Sequence, residues 1–179
     1  MSTLSSLLET RAPELGRGAR QAPAGTTLVL GLGNELRGDD GIGPAVIRAL
    51  AARRDLPSHV TVLDGGLAGV ETVLLLNGAA RAIIVDAAEQ GLAPGEWRRL
   101  PVATVLEHAA REGGGSWHAA GLAQALALGQ ALHTLPPHVV VYAVQPARVD
   151  FSPGLSEPLH AAIPRLCEQI LADLLTPTA

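Results

Sequence analysis

The chain contains no lysine: all 13 of its basic residues, among 179, are arginine. That absence removes any Schiff-base mechanism, and it removes the lysine with which a P-loop holds phosphates. Cysteine is nearly absent too. Cys167 stands alone, so the chain can form no internal disulfide and no CxxC redox or zinc site. A reducing cytoplasm suits that usage, and Cys167, set in an apolar C-terminal segment, reads as a buried packing residue. Aromatic residues make up only 2% of a chain that is 47% hydrophobic, so the core must be built from Leu, Val, Ile and Ala. Buried parallel strands covered by Ala-rich helices have that composition. Positive charge is scarce as well. A formal net charge of -4 offers no broad basic field, which argues against a nucleic-acid partner.

Long apolar runs are also missing, since none approaches the roughly 20 residues of a membrane span. The first 25 residues, "MSTLSSLLETRAPELGRGARQAPAG", have neither a basic start nor a continuous apolar stretch and do not read as a secretory signal. They are expected to form a disordered N-terminal extension to a single domain over residues 26–175. The chain is expected to act as a monomer.

What is present is an alternation of short aliphatic runs with helical patterns, the signature of βαβ units and a mostly parallel, twisted sheet with helices on both faces. Strands are predicted at "TTLVLGL" (26–32), "HVTVLDG" (from His59), "RAIIVDAA" (81–88), "GEWRRLPV" and "HVVVYAV" (from His138). Helices are predicted from Pro44 through "AVIRALAARR", over 70–76, over 105–111, through "AAGLAQALALGQALH" and at the C-terminus. In the last of these, Leu159, Ile163, Leu166, Ile170 and Leu174 recur at spacings of 4, 3, 4 and 4, with Pro164 marking a start or a kink.

In a doubly wound sheet, ligands bind beyond the carboxyl ends of the strands, where strand-to-helix loops converge. Asp40, Asp64 and Asp86 all follow or end predicted strands, and His118 precedes the Ala/Leu helix. The loop "GLGNELRGDDGIG" over residues 31–43 opens like a dinucleotide fingerprint, but Leu36 stands where a third glycine would be. Asp39 and Asp40 would also oppose phosphate at the start of the next helix. The other reading is that the glycines turn the chain sharply and present carboxylates to a cation, one aspartate capping the helix and the other left for chemistry. Asp40, Asp86 and His118 together make two carboxylates and an imidazole, a set suited to nickel, zinc, manganese or iron. Asp64, in "LDGG", reads as an Asx-type turn that supports the crevice. The remaining histidines, His108 included, sit at element ends or on polar faces and need no functional explanation.

With "GLGNELRGDDGIG", "LDGG", "IIVDAA" and "HAAGLAQAL" in this order, the chain resembles the hydrogenase maturation proteases over residues 27–174. These endopeptidases trim the large subunit of [NiFe] hydrogenases and are traditionally grouped with aspartic-type peptidases. The resemblance implies a twisted sheet between helices, catalytic roles for Asp40 and Asp86, and metal coordination by Asp40, Asp86 and His118. It implies as substrate the precursor of a hydrogenase large subunit, cut near its C-terminus once nickel is in place, with the nickel supplied by that precursor. Cleavage would proceed through a water activated by the metal or by a carboxylate. Gln145 departs from the acid or aliphatic residue the family often carries there, a difference bearing on substrate fit. Two other readings stand beside this one: a nucleotide-binding oxidoreductase, and a docking factor that binds the precursor without cutting it.

Overall fold

The computed structural model describes residues 24–111 and 117–176, without the side chains of residues 117–120. The expected N-terminal extension falls almost wholly on residues 1–23, outside the described part.

The five aliphatic runs form one sheet: β1 (Thr27–Leu32), β2 (Val60–Gly66), β3 (Arg81–Ala87), β4 (Trp97–Pro101) and β5 (His138–Val144). The strand order is β2-β1-β3-β5-β4, parallel throughout except for β4, which runs antiparallel along the outer edge of β5. β1 and β3 are buried along their whole length, as interior parallel strands covered on both faces must be. Because successive residues point to opposite faces, these strands supply two cores at once. Val29, Ile83, Val85, Tyr142 and Val144 pack against helices α1 (Ile42–Ala51) and α5 (Glu157–Leu175). On the opposite face Leu28, Leu30, Ile84, Val139 and Val141 pack against α2 (Glu71–Leu76) and α4 (Trp117–Ala131), with α3 (Val102–Arg111) at the margin.

The chain leaves β1 toward β2 on one side and continues from β2 to β3 on the other side of β1. The strand order therefore reverses at the β1/β3 boundary, and at such a point the diverging loops leave a crevice. Register places its floor: Gly31 lies opposite Val85, so Asp86 is one step beyond the last β1–β3 pair.

Several boundaries differ from those predicted. α1 begins at Ile42, two residues before Pro44, because a 3-10 turn at Gly38–Gly41 runs directly into it. Pro44 breaks nothing there, since N–H groups in the first turn have no intrahelical partner. α3 begins at Val102 rather than near 105, and α5 begins at Glu157, with Pro164 in its interior rather than at its start. His118 lies within the first turn of α4 instead of preceding it.

Candidate active site at the carboxyl edge of the sheet

The glycines of the first loop serve the protein's own packing. Gly33 has φ +131°, and a Cβ there would lie 1.8 Å from the carbonyl oxygen of Asp40. A Cβ on Gly43 would lie 2.2 Å from the Leu32 carbonyl oxygen. Removing both side chains lets the start of α1 seat directly on the end of β1, which turns the two aspartates inward. Both are fully buried, at 0% exposure.

The pair divides its work, although not as a cap and a free group. Neither aspartate caps α1, whose N-cap is Gly41 without any side-chain hydrogen bond. Asp39 instead reaches across to the loop between β5 and α5. Its Oδ2 accepts from the backbone N–H of Ala147 (2.8 Å) and Arg148 (3.0 Å) and from the Ser156 hydroxyl (2.9 Å), while Oδ1 accepts from the Ser156 N–H at 2.6 Å. Burial alone would raise its pKa, but these hydrogen bonds outweigh it and hold the carboxyl below its ordinary value. Ser156 is the N-cap residue of α5, so Asp39 fixes the approach to that helix.

Asp40 Oδ2 accepts from the Asn34 N–H at 2.8 Å, which closes the loop on itself. Asp86, at the end of β3, is 2% exposed. Burial, reinforced by the negative charge of Asp40, pushes its pKa up to about 8, against only a partial lowering by the Ala87 N–H. Both effects favour the protonated form of Asp86. The Gly38–Gly41 turn packs against β3, which brings residues 46 positions apart in the chain to one site.

Asp86 opens into a cleft on the α3/α4 side, lined by Ala88, Glu89 and Gln90 of the following loop, by Val105 and His108 of α3, and by Leu122 of α4. His108, which the sequence places at an element end or on a polar face, lines the same cleft as the carboxylate. The available signal was the spacing of Val105, His108 and Ala109, which puts all three on one helix face. His118 belongs to the helix that carries Leu122, but its side chain lies outside the described residues. Asp64 is not part of the buried pair. It is exposed at the end of β2, and its Oδ1 accepts from the Gly66 N–H at 3.0 Å, the turn its two glycines predicted.

Among the described residues, no group of three or more His, Cys, Asp or Glu side chains is arranged to hold a metal ion. The described donors are the two carboxylates. A divalent cation suits that donor set, since its charge would offset both the burial and the Asp40 charge that raise the Asp86 pKa.

The fold is that of an α/β protein with a doubly wound sheet, and a buried acid pair lies at its switch point, where glycines let strand and helix pack closely. The chain belongs to the hydrogenase maturation protease family, whose pattern it matches over residues 44–173. It is 34% identical over 148 residues to the hydrogenase 2 maturation protease of Escherichia coli, covering 82% of this chain and 89% of that protein. It is also 34% identical over 131 residues to the hydrogenase expression/formation protein HupD of Thiocapsa roseopersicina. That match covers 73% of this chain and 59% of the Thiocapsa protein, so the two differ in extent. In three dimensions the chain superposes on the hydrogenase maturating endopeptidase HybD from E. coli with a TM-score of 0.74 at 33% identity, over 83% of this chain and 91% of that one.

Proposed function

We propose that the protein is an endopeptidase that removes the C-terminal extension from a [NiFe] hydrogenase large-subunit precursor after nickel has been inserted. The observation that carries the reading is the Asp40–Asp86 pair, buried together at the switch point of a chain from this family. Asp40, Asp86 and His118 would coordinate nickel held by the precursor, so that the metal itself is part of the recognised substrate. Asp86 would give up its proton as it coordinates, as ligands do on metal binding.

The described side chains favour water as nucleophile. Ser156 has its hydroxyl committed to Asp39, and Cys167 is buried in α5, where burial raises the thiol pKa. Asp40 would act as general base, taking a proton from the water as its oxygen bonds to the scissile carbonyl carbon. The carbon–nitrogen bond then breaks, and the leaving amine receives the proton that Asp40 took from the water. Nickel-loaded precursor incubated with the wild-type protein should lose the mass of its tail, while nickel-free precursor should keep it. A folded Asp40→Asn protein that still trims the loaded precursor would refute the assignment.

A further inference from the structure

Gln145 immediately follows β5 and is 5% exposed, and no step of the proposed hydrolysis uses it. Every hydrogen-bonding position on its side chain is nevertheless filled. Oε1 accepts from the backbone N–H groups of Gln90 (2.7 Å) and Leu92 (3.3 Å). Nε2 donates to Glu89 Oε2 (2.7 Å) and to the Pro146 carbonyl (3.1 Å). These partners orient the amide: the two N–H groups can only donate, and the Glu89 carboxylate and the Pro146 carbonyl accept. Its main chain adds two bonds to the same loop, donating from N–H to the Glu96 carbonyl at 2.8 Å and accepting from the Gly95 N–H at 3.0 Å.

One residue thus ties down both ends of the connection between β3 and β4. Ala88, Glu89 and Gln90 of that connection line the cleft into which Asp86 opens. Asp40 and Asp86 have their own partners in the Asn34 and Ala87 N–H groups, so the acids do not depend on the amide. We infer that Gln145 is a positioning residue: it holds residues 88–92, and the Glu89 carboxylate among them, as the wall against which a substrate segment is seated. This rests on the endopeptidase reading of the same site. Its effect belongs to binding rather than to bond cleavage.

The test compares wild type, Gln145→Glu and the double variant Gln145→Glu/Glu89→Gln in processing of nickel-loaded precursor. In the single variant a carboxylate replaces the two donors and confronts Glu89. In the double variant the contact with residue 89 is restored with donor and acceptor exchanged, and only the bond to the Pro146 carbonyl stays lost. Gln145→Glu should raise KM roughly tenfold with kcat within about twofold, the scale on which displacing the wall weakens the seating of a substrate by about one hydrogen bond. The double variant should return KM to within about threefold of wild type. A wild-type KM in Gln145→Glu, or a raised KM that Glu89→Gln leaves unchanged, would overturn the inference. Should the wild type fail to process the precursor, the endopeptidase reading falls instead, and amide hydrogen exchange then decides the positioning role. Gln90 and Leu92 should lose protection in Gln145→Glu and regain it in the double variant, and unchanged protection would refute the role.

Discussion

Two adjacent aspartates with identical exposure do opposite things, and the difference lies in what surrounds each carboxylate. Asp39 accepts three backbone N–H groups and a hydroxyl, all from the loop that leads into α5. Asp39→Ala would leave those donors buried without an acceptor, which should cost about 3–5 kcal/mol by chemical denaturation. Asp40→Asn keeps an oxygen for the Asn34 N–H and should cost no more than about 1 kcal/mol while abolishing processing. Equal losses in the two variants would contradict this division. Asp86 makes a pH-dependent prediction of definite sign. Its folded pKa of about 8 stands above the ordinary 3.8, so the native state retains a proton that the unfolded chain releases in between. The contribution is fully present below pH 4 and is lost as pH rises toward 8. Asp86→Asn removes that dependence. Relative to wild type, the variant should gain on the order of a few kcal/mol between pH 5 and pH 8.5, measured by denaturant unfolding at both values. Parallel stability curves would show that Asp86 is not held protonated.

At the scale of elements, the loop from β1 to α1 works because two glycines let a strand end and a helix start touch. Gly33→Ala places a methyl group 1.8 Å from the Asp40 carbonyl oxygen at a φ of +131°. The loop must move to relieve that contact, and Asp40 moves with it. The variant should therefore lose stability by about 2 kcal/mol or more and lose processing, whereas Gly66→Ala, with φ +65° but open space around it, should lose only stability. Retained processing in Gly33→Ala would show that the loop can adapt. The element order, the carboxyl-edge placement of Asp40 and Asp86, and the Asx turn at Asp64 were all legible, because alternation and strand-end chemistry are local signals. What was not legible depended on distant parts of the chain. The partners of Asp39 lie 108 to 117 residues away, and those of the Gln145 side chain in the β3–β4 connection lie 53 to 56 residues away, beyond any periodic pattern. The cleft that His108 lines was not legible for a related reason, since it exists only once β3, β5, α3 and α4 are assembled. The start of α1 was misplaced because Pro44 suits the first helical position, while the 3-10 turn at Gly38–Gly41 runs into the helix two residues earlier. The start of α3 was misplaced because it falls at Val102 with no Ser, Thr, Asp or Asn just before it.

At the scale of the whole molecule, the two cores are inseparable because they share strands. Leu28 and Leu30 face α2 and α4 while Val29 between them faces α1 and α5, and Ile83, Ile84 and Val85 alternate in the same way on β3. Neither layer can release its helices without exposing one face of the central strands, so the domain should unfold in a single cooperative transition. Leu126, at 0% exposure on α4, and Ile170, at 0% exposure on α5, probe the two layers from opposite sides. Leu126→Ala and Ile170→Ala each remove a buried aliphatic side chain from a close-packed core, at about 2–5 kcal/mol. For a domain of this size each should lower the midpoint by roughly 4–20 °C. In calorimetry the whole transition should shift in both variants and stay single, with the calorimetric and van't Hoff enthalpies equal. Two resolved transitions, only one of them moved by either substitution, would show that the α1/α5 layer folds independently of the α2/α4 layer. That outcome would also undercut the site, because Asp40 is carried on the first layer's loop while the cleft beside Asp86 is walled by the second. The Asp40 charge can act on Asp86 only if the layers stay locked together across the sheet.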